Sequence, residues 1–299
     1  MRYPRRIKLE QLSPLAGTGK KPRVITFDAY NTLYSTTLPV MEQYSRVGKK
    51  YGINTSAEKL AAKFPTKINI QTMARHTGIS PKDWWGILIS DVFAPIYVPQ
   101  KMIVEILHVF DGFGAYTVYP DLLEFLKLIK QKYPEVILGV LSNTDPIMYT
   151  LLKNIGLEPY FDSNVYLSYD LEVAKPDPKF FELVLQNLVE RHPELIAGST
   201  IEGLKSCCWH VGDEDTNDLQ GPYNAGWNAV LIDRTDKYKH LSETSDGLQR
   251  QTHALYTDKI DNNASESWGL SMKQTDAIQL SDCQYVVSNF RTLTKVLFE

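Results

Sequence analysis

The sequence predicts an α/β protein in which an all-helical cap interrupts a parallel sheet. Short apolar runs, typical of buried parallel strands, alternate with helical patterns along most of the chain. The first apolar run ends at Asp28 and the second begins near Glu135, and residues 38–114 between them show several helical patterns and no strand. Because the first strand belongs to the same sheet as the later ones, these helices form an insertion.

The predicted strands are short apolar runs, and the predicted helices have apolar residues at helical spacing. In chain order the strands cover 24–27, 135–142, 165–167, 206–211, 228–232 and 285–287. The helices cover 40–51, 56–64, 84–93, 100–110, 122–132, 145–154, 179–191 and 292–298. Ser80 followed by Pro81 is a helix start, with Ser as the cap and Pro at the first helical position.

These elements divide the chain into a core and an insertion. We assign residues 22–37 and 115–299 to the core and 38–114 to the helical cap. Residues 235–281 are polar and too long for an ordinary connection, which predicts an excursion within the core that has some local structure or partial disorder. Residues 1–21 are rich in Arg and Lys and predict a basic, flexible arm. A mitochondrial presequence is the alternative for this arm.

The composition is that of an ordinary globular protein, with 43% apolar and 22% charged residues. A net charge of −3 gives no reason to expect a nucleic-acid partner, and no apolar run approaches the roughly 18–20 residues of a membrane span. Cys207, Cys208 and Cys283 form no C-x-x-C motif and are expected to be reduced thiols. We expect an intracellular protein, cytoplasmic or nuclear, with mitochondria as the alternative, and no membrane or nucleic-acid partner.

Polar clusters fall at the ends of four successive predicted strands. They are Asp28–Thr32, Ser142-Asn143, Lys175-Pro176 and Gly212–Asp218. A parallel sheet brings such strand ends together over one crevice, where ligands bind. The crevice would combine a nucleophilic carboxylate, hydroxyl and amide donors, a cation and an acidic cluster. Each cluster alone is typical of a turn, a helix cap or a solvated side chain, and the Gly212 cluster alone also of another kind of metal loop, but four together favour a functional site.

With these four motifs in this order, and a helical insertion after the first, the chain resembles the haloacid dehalogenase (HAD) superfamily of hydrolases. The resemblance covers roughly residues 22–234 and the last strand. Within the superfamily the chain looks most like the fungal haloacid dehalogenase-like hydrolase domain-containing proteins. The resemblance implies a Rossmann-like core with a C1-type helical cap.

The resemblance also implies a phosphatase site that acts on a small phosphorylated metabolite. Asp28 would be the nucleophile that forms an aspartyl-phosphate, and Lys175 would neutralise the phosphoryl oxygens. The phosphate would be bound by Thr32, Ser142, Asn143 and Lys175. Mg²⁺ would be ligated by Asp28, the backbone carbonyl of Tyr30 and Asp213, with Asp218 or Glu214 completing the shell.

Tyr30 departs from the phosphatase pattern. Phosphatases of this superfamily normally carry a second Asp at that position as the general acid and base, and a phenol with a pKa near 10 is a poor base at neutral pH. Tyr at this position resembles the 2-haloacid dehalogenases, which displace halide from carbon without a metal but lack an acidic fourth motif. A second, smaller departure is Asn31, where Gly is frequent and where we expect a tolerated positive φ.

Three hypotheses follow from this mixed pattern. The first is a Mg²⁺-dependent phosphatase, a hydrolase of phosphoric monoesters whose activity is weak or narrow because of Tyr30. The second is a catalytically degenerate HAD-fold binding protein. The third is a 2-haloacid-dehalogenase-like, carbon-centred hydrolase. Its halide displacement would not need Asp213, Glu214 or Asp218.

Overall fold

The computed structural model describes residues 4–11, 21–64, 78–198, 200–238, 241 and 262–299. These residues form ten strands, most of them short. They are β1 Arg5–Lys8, β2 Val24–Phe27, β3 Tyr34–Thr36, β4 Tyr116–Val118, β5 Ile137–Ser142, β6 Val165–Leu167, β7 Cys208–Gly212, β8 Asn228–Ile232, β9 Asp276–Ser281 and β10 Gln284–Val287.

Eight strands form one sheet in the order β1-β9-β10-β8-β7-β2-β5-β6. The six strands from β10 to β6 run parallel to their neighbours, and β9 is antiparallel to both β1 and β10. Strand β2 lies between β5 and β7, with Phe27 level with Val140 on one side and Val211 on the other. The predicted parallel sheet of an α/β fold is therefore confirmed.

Helices surround the sheet and connect its strands. They are α1 Val40–Lys50, α2 Ala57–Ala61, α3 Pro81–Phe93, α4 Gln100–Val109, α5 Pro120–Lys132, α6 Ile147–Asn154, α7 Glu158–Phe161, α8 Ser168–Leu171, α9 Pro178–Arg191, α10 Ile201–Lys205, α11 Gly221–Asn224, α12 Ala264–Ser271 and α13 Phe290–Phe298. A π-helical turn covers Asp215–Gln220, and 3₁₀ turns cover Leu9–Gln11 and Pro193–Ile196.

The side chains of β2 alternate between the two faces of the sheet, as a strand requires. Phe27 lies 6.1 Å, between ring centroids, from both Phe125 of α5 and Phe290 of α13. On the other face, Val24 belongs to the cluster that contains Phe180 of α9. Both faces of the sheet are thus covered by helices, which is why its strands read as continuous apolar runs.

Helices α1 to α4 pack around a hydrophobic cluster of their own, which includes Met41, Trp84 and Phe93. The predicted start of α3 is confirmed, since Ser80 Oγ accepts the backbone N–H of Asp83 at 3.2 Å. The strands β3 and β4 pair antiparallel on either side of the insertion, and this ribbon joins it to the core. The helical composition agrees with the predicted cap; its action as a cap stays a prediction.

The structure also contains strands that the sequence analysis does not predict. Within the predicted flexible arm, residues 5–8 form β1 at the edge of the sheet, so the prediction of flexibility is wrong for them. Within the predicted excursion, α12 and β9 are regular elements, and β9 lies between β1 and the rest of the sheet. The described residues do not include 1–3 and 12–20 of the predicted arm, 239–240 and 242–261 of the predicted excursion, or 65–77 of the insertion. Among the described residues, every helix is too short or too polar to span a bilayer.

Candidate active site

The ends of β2 and β7 bring the predicted acidic residues together. Asp28 directly follows β2, and its backbone N–H donates to the carbonyl of Val211 in β7 at 2.8 Å. Asp213 directly follows β7, and Asp218 follows on the π-helical turn. Carboxylate oxygens of Asp28, Asp213 and Asp218 all lie within 4.8 Å of one another. Three oxygen donors this close are a set that could hold a hard divalent cation.

Lys175 lies between two of these carboxylates. Its Nζ donates to Asp28 Oδ1 at 2.7 Å and to Asp218 Oδ1 at 2.6 Å, and its side chain is only 1% exposed. Asn143 holds the backbone of Lys175 from both sides. Asn143 Nδ2 donates to the Lys175 carbonyl at 2.8 Å, and the Lys175 N–H donates to Asn143 Oδ1 at 2.9 Å. The structure therefore places both polar groups of Asn143 on Lys175, and its predicted contact with phosphate stays a prediction.

Asp218 is fixed by its own loop and by the absence of a side chain at Gly212. Its Oδ2 accepts the backbone N–H of Glu214 at 3.0 Å. A Cβ on Gly212 would lie 2.2 Å from Asp218 Cγ, far inside van der Waals contact. The Glu214 side chain is exposed and accepts a hydrogen bond from Asn217, so Glu214 is not part of the carboxylate cluster. The prediction that Asp218 or Glu214 completes a metal shell remains untested.

His210 lies in β7 directly behind Asp218 and is fully buried. Its Nε2 is 3.0 Å from Asp218 Oδ1, and its Nδ1 is 2.9 Å from the hydroxyl of Thr26. Because a carboxylate only accepts, Nε2 carries the proton and Nδ1 accepts from Thr26. Burial lowers the pKa of His210 to about 4, so the ring is neutral at physiological pH. His210 is thus a packed, hydrogen-bonded residue that orients Asp218.

The buried carboxyl groups of the site differ in how strongly their charged forms are stabilised. Burial raises the pKa of Asp28 to about 8, against the opposing charge of Lys175. Burial also disfavours the charged form of Lys175, but Asp218 and Asp28 outweigh this effect and raise the pKa of the ammonium. Although burial works against its ionised form too, Lys175 and His210 hold the pKa of Asp218 well below its usual range. Lys175 and Asp218 therefore form the permanent ion pair, and Asp28 is the carboxyl group whose charge depends on what binds beside it.

Two predicted phosphate ligands, Ser142 and Thr32, are buried residues of the core. Ser142 ends β5, the neighbour of β2, and is 6% exposed. Thr32 is fully buried, and its hydroxyl has no hydrogen-bond partner among the described residues. Buried hydroxyls usually have a partner. The contact of both residues with phosphate stays a prediction.

Tyr30 is held by a residue distant in sequence. Its hydroxyl donates a hydrogen bond to Asn262 Oδ1 and lies 3.4 Å from Thr36 Oγ1. Thr36 in turn donates to the backbone carbonyl of Asn262 at 3.0 Å. The neighbouring Asn31 has a φ of 58°, the positive value expected from the sequence, and its Oδ1 accepts from Ser35 at 2.8 Å. The phenol is thus engaged in fastening this turn to the segment before α12.

Two residues that reach the site from beyond β8 are not predicted by the sequence pattern. Lys237 Nζ donates to Asp213 Oδ2 at 3.0 Å, and Asn262 binds Tyr30. Both lie in the polar stretch after β8, where local pattern carries little information. One signal was present, since Asp233 directly follows a strand in the same way as Asp28 and Asp213.

The chain is similar in sequence to known proteins along most of its length. A family model described as haloacid dehalogenase-like hydrolase matches residues 22–226. The chain is 48% identical over 301 residues to an uncharacterized protein of Saccharomyces cerevisiae, and the alignment covers 99% of each. It is 28% identical over 236 residues to haloacid dehalogenase-like hydrolase domain-containing protein 3 of Danio rerio, covering 73% of this chain and 88% of that protein.

Among solved structures, the chain is similar to a defluorinating L-2-haloacid dehalogenase. The TM-score is 0.54 at 17% identity, and the match covers 79% of this chain and 93% of that one. A likeness at this identity shows a shared fold.

The chain belongs to the haloacid dehalogenase-like hydrolase family, as the order of its four motifs predicts. It is therefore a HAD-like hydrolase with a mostly parallel, Rossmann-like sheet.

Proposed function

We propose that this chain is a Mg²⁺-dependent phosphatase that acts on a small phosphorylated metabolite. The observation that carries the proposal is the cluster of Asp28, Asp213 and Asp218, in which Asp28 and Asp218 both contact Lys175. Displacement of halide from carbon needs a carboxylate nucleophile but no second and third carboxylate beside it. Phosphoryl transfer depends on positioning and charge stabilisation, for which an acidic, metal-binding cluster and a fixed cation are suited.

The donor set fits Mg²⁺, which takes oxygen ligands and only a few carboxylates. Asp28, Asp213 and the backbone carbonyl of Tyr30 would hold the ion, with Asp218 or Glu214 completing its shell. When bound, Mg²⁺ would neutralise phosphoryl charge and favour the ionised form of Asp28. Asp218 already accepts hydrogen bonds from Lys175 and His210, so we assign it mainly to positioning Lys175.

Each residue of the site then has a separate role in the reaction. The Asp28 carboxylate attacks phosphorus, the bond to the leaving oxygen breaks, and an aspartyl-phosphate forms. Water next attacks that phosphorus, which releases phosphate and restores Asp28. Lys175 supplies a fixed positive charge beside Asp28, and the hydroxyls of Ser142 and Thr32 donate to phosphoryl oxygens.

The hydrogen bond from Tyr30 to Asn262 favours a second candidate, a HAD-fold protein that binds a phosphorylated ligand without turning it over. The phenol replaces the usual general acid and base, and its proton is directed at Asn262. General acid–base help is worth about 10²–10⁴-fold. A phosphatase without it should prefer activated leaving groups that need no proton.

Replacement of Asp28 tests the first proposal. Asp28→Asn should abolish hydrolysis of an activated aryl phosphate, because an amide is no nucleophile, and EDTA should abolish hydrolysis by the natural protein. Release of the aryl alcohol measures both. The control is Asp162→Asn, which changes an exposed Asp with a φ of 45° that Asn tolerates. Hydrolysis that survives both Asp28→Asn and EDTA would contradict the proposal.

Replacement of Tyr30 separates the two candidates. Tyr30→Asp should raise hydrolysis of alkyl phosphates by about 10²-fold, because it supplies the missing acid. Tyr30→Asn is the matched control, since it removes the same phenol and adds no acid. A panel of metabolite phosphates with Mg²⁺ gives the readout. Turnover that appears only in Tyr30→Asp would favour the binding protein, and ordinary rates in the natural protein would exclude it.

A further inference from the structure

Lys237 lies on a turn whose backbone is fixed by Asp233. Asp233 follows β8 directly, and its Oδ1 accepts the backbone N–H of Lys237 at 3.0 Å. The same carboxylate accepts the N–H of Thr235 at 3.4 Å and, through Oδ2, that of Tyr238 at 2.8 Å. A side-chain carboxylate that binds several backbone donors in this way orders a turn. The position of Lys237 is therefore determined by the end of β8.

Tyr238 fastens the same turn to the loop that carries Asp213. Its hydroxyl accepts the backbone N–H of Asp215 at 3.1 Å. Its ring is 9% exposed and belongs to a hydrophobic cluster with Leu219 and Leu231. The residue that follows Lys237 thus holds the turn against the acidic loop after β7.

The consequence is an ion pair between Lys237 and Asp213. Nζ lies 3.0 Å from Oδ2, and the two side chains are 17% and 10% exposed. Lys175 contacts the other two carboxylates of the cluster, Asp28 and Asp218. Each of the three carboxylates therefore has an ammonium group beside it, and weak solvent exposure limits the screening of these three ion pairs.

We infer that Lys237 is a resident counter-ion of Asp213 that Mg²⁺ has to displace when it binds. This inference rests on the proposed function, because it assigns Asp213 to the metal. An ion at Asp213 places two positive charges within a few ångströms of the ammonium, and like charges at that distance repel strongly in a partly buried site. Without metal, Lys237 offsets the repulsion among the carboxylates. It thereby lowers the affinity for Mg²⁺ and sets the concentration at which the site fills.

Calorimetric titration of MgCl₂ into the full chain tests this role. Lys237→Met should bind Mg²⁺ at least about tenfold more tightly than the natural protein, because a unit charge beside the ion is removed. Lys237→Arg keeps the charge and should stay within about threefold. Lys130→Met is the matched control, since Lys130 pairs with Asp162 at 2.7 Å away from the site, and it should leave the affinity unchanged.

Thermal unfolding gives a second readout. Without metal, Lys237→Met should melt at a lower temperature than the natural protein, and with MgCl₂ it should gain more, because tighter binding stabilises more. A lower melting temperature with unchanged or weaker Mg²⁺ binding would make Lys237 a structural residue and overturn the inference. If Lys237→Met does not fold, Lys237→Gln carries the same expectation. Absence of Mg²⁺ binding in every form would contradict the proposed function as well, whereas equal affinities would contradict this inference alone.

Discussion

Gly212 allows the Asp218 carboxylate to approach the end of β7, and the site depends on this single missing side chain. A Cβ at Gly212 would lie 2.2 Å from Asp218 Cγ and 2.4 Å from its Oδ2. Asp218 cannot move away without losing Lys175, His210 or the N–H of Glu214. The same glycine therefore determines where the ammonium of Lys175 stands.

Gly212→Ala should lower the proposed phosphatase activity by about 10²-fold or more, because Asp218 must leave the position that orients Lys175. Overpacking typically costs about 1–3 kcal/mol, so urea unfolding should show a loss of that size. Gly269→Ala is the control, since its Cβ meets nothing within 4 Å. Unchanged kcat in Gly212→Ala would show that Lys175 does not need Asp218.

The sequence predicts the residues of this site that are adjacent to strand ends. Asp28 and Asp213 each follow a buried apolar run, so local pattern and sheet geometry suffice to bring them together. Lys237 and Asn262 lie in the polar stretch after β8, and their contacts depend on a turn ordered by Asp233 and on chain far from the site. No periodicity predicts such contacts, since each depends on a tertiary arrangement.

Among the elements, β1 shows how an edge strand can be concealed in a basic segment. Its four residues pair with β9, and both Nε and Nη2 of Arg5 donate to Gln279, at 3.0 and 2.7 Å. Arg6 pairs with Asp276 at 2.6 Å, and Ile7 is buried. Charged side chains are common on edge strands, where they discourage association with other chains. Because of this charged composition, the apolar pattern of the sequence does not predict β1, whereas it predicts the buried strands β2, β5 and β8.

Removal of residues 1–11 should destabilise the protein and expose β9. The change deletes the pairing of β1 and the burial of Ile7, for which we expect a loss of about 2–4 kcal/mol from urea unfolding. An exposed edge should also increase self-association, which light scattering would measure. The double variant Arg5→Ala, Arg6→Ala is the control, because it removes the side-chain contacts and leaves the strand. Full stability in the truncated protein would show that β1 adds nothing to the sheet.

At the scale of the whole molecule, a hydrogen bond connects the helical insertion to the core beside the site. Trp85 of α3 donates through Nε1 to Asp145 Oδ2 at 2.9 Å. Asp145 lies two residues after Asn143, is 2% exposed, and accepts the N–H of Ile147 through Oδ1 at 2.8 Å. Burial raises the pKa of Asp145, and the hydrogen bond from Trp85 opposes this rise. The contact thus joins the two hydrophobic units of the chain through a buried carboxylate.

Trp85→Phe should therefore destabilise the protein in a pH-dependent way. Loss of the indole donor leaves Asp145 Oδ2 buried without this hydrogen bond, which costs about 1–3 kcal/mol when the carboxyl group is ionised. Removing the indole N–H also raises the folded-state pKa of Asp145 further above its unfolded value. A carboxyl group whose folded-state pKa lies above its unfolded value stabilises the protein at low pH, and this stabilisation is lost as the pH rises through the folded-state pKa. The variant should therefore lose more stability than the natural protein as the pH increases. Urea unfolding at pH 5 and pH 8 should show the larger difference in unfolding free energy between the variant and the natural protein at pH 8.

Trp227→Phe is the control, since its Nε1 has no partner among the described residues, and the stability that it loses should not change with pH. Equal costs of Trp85→Phe at both pH values would mean that Asp145 does not need Trp85, and the insertion would then be held to the core by its ribbon and apolar contacts.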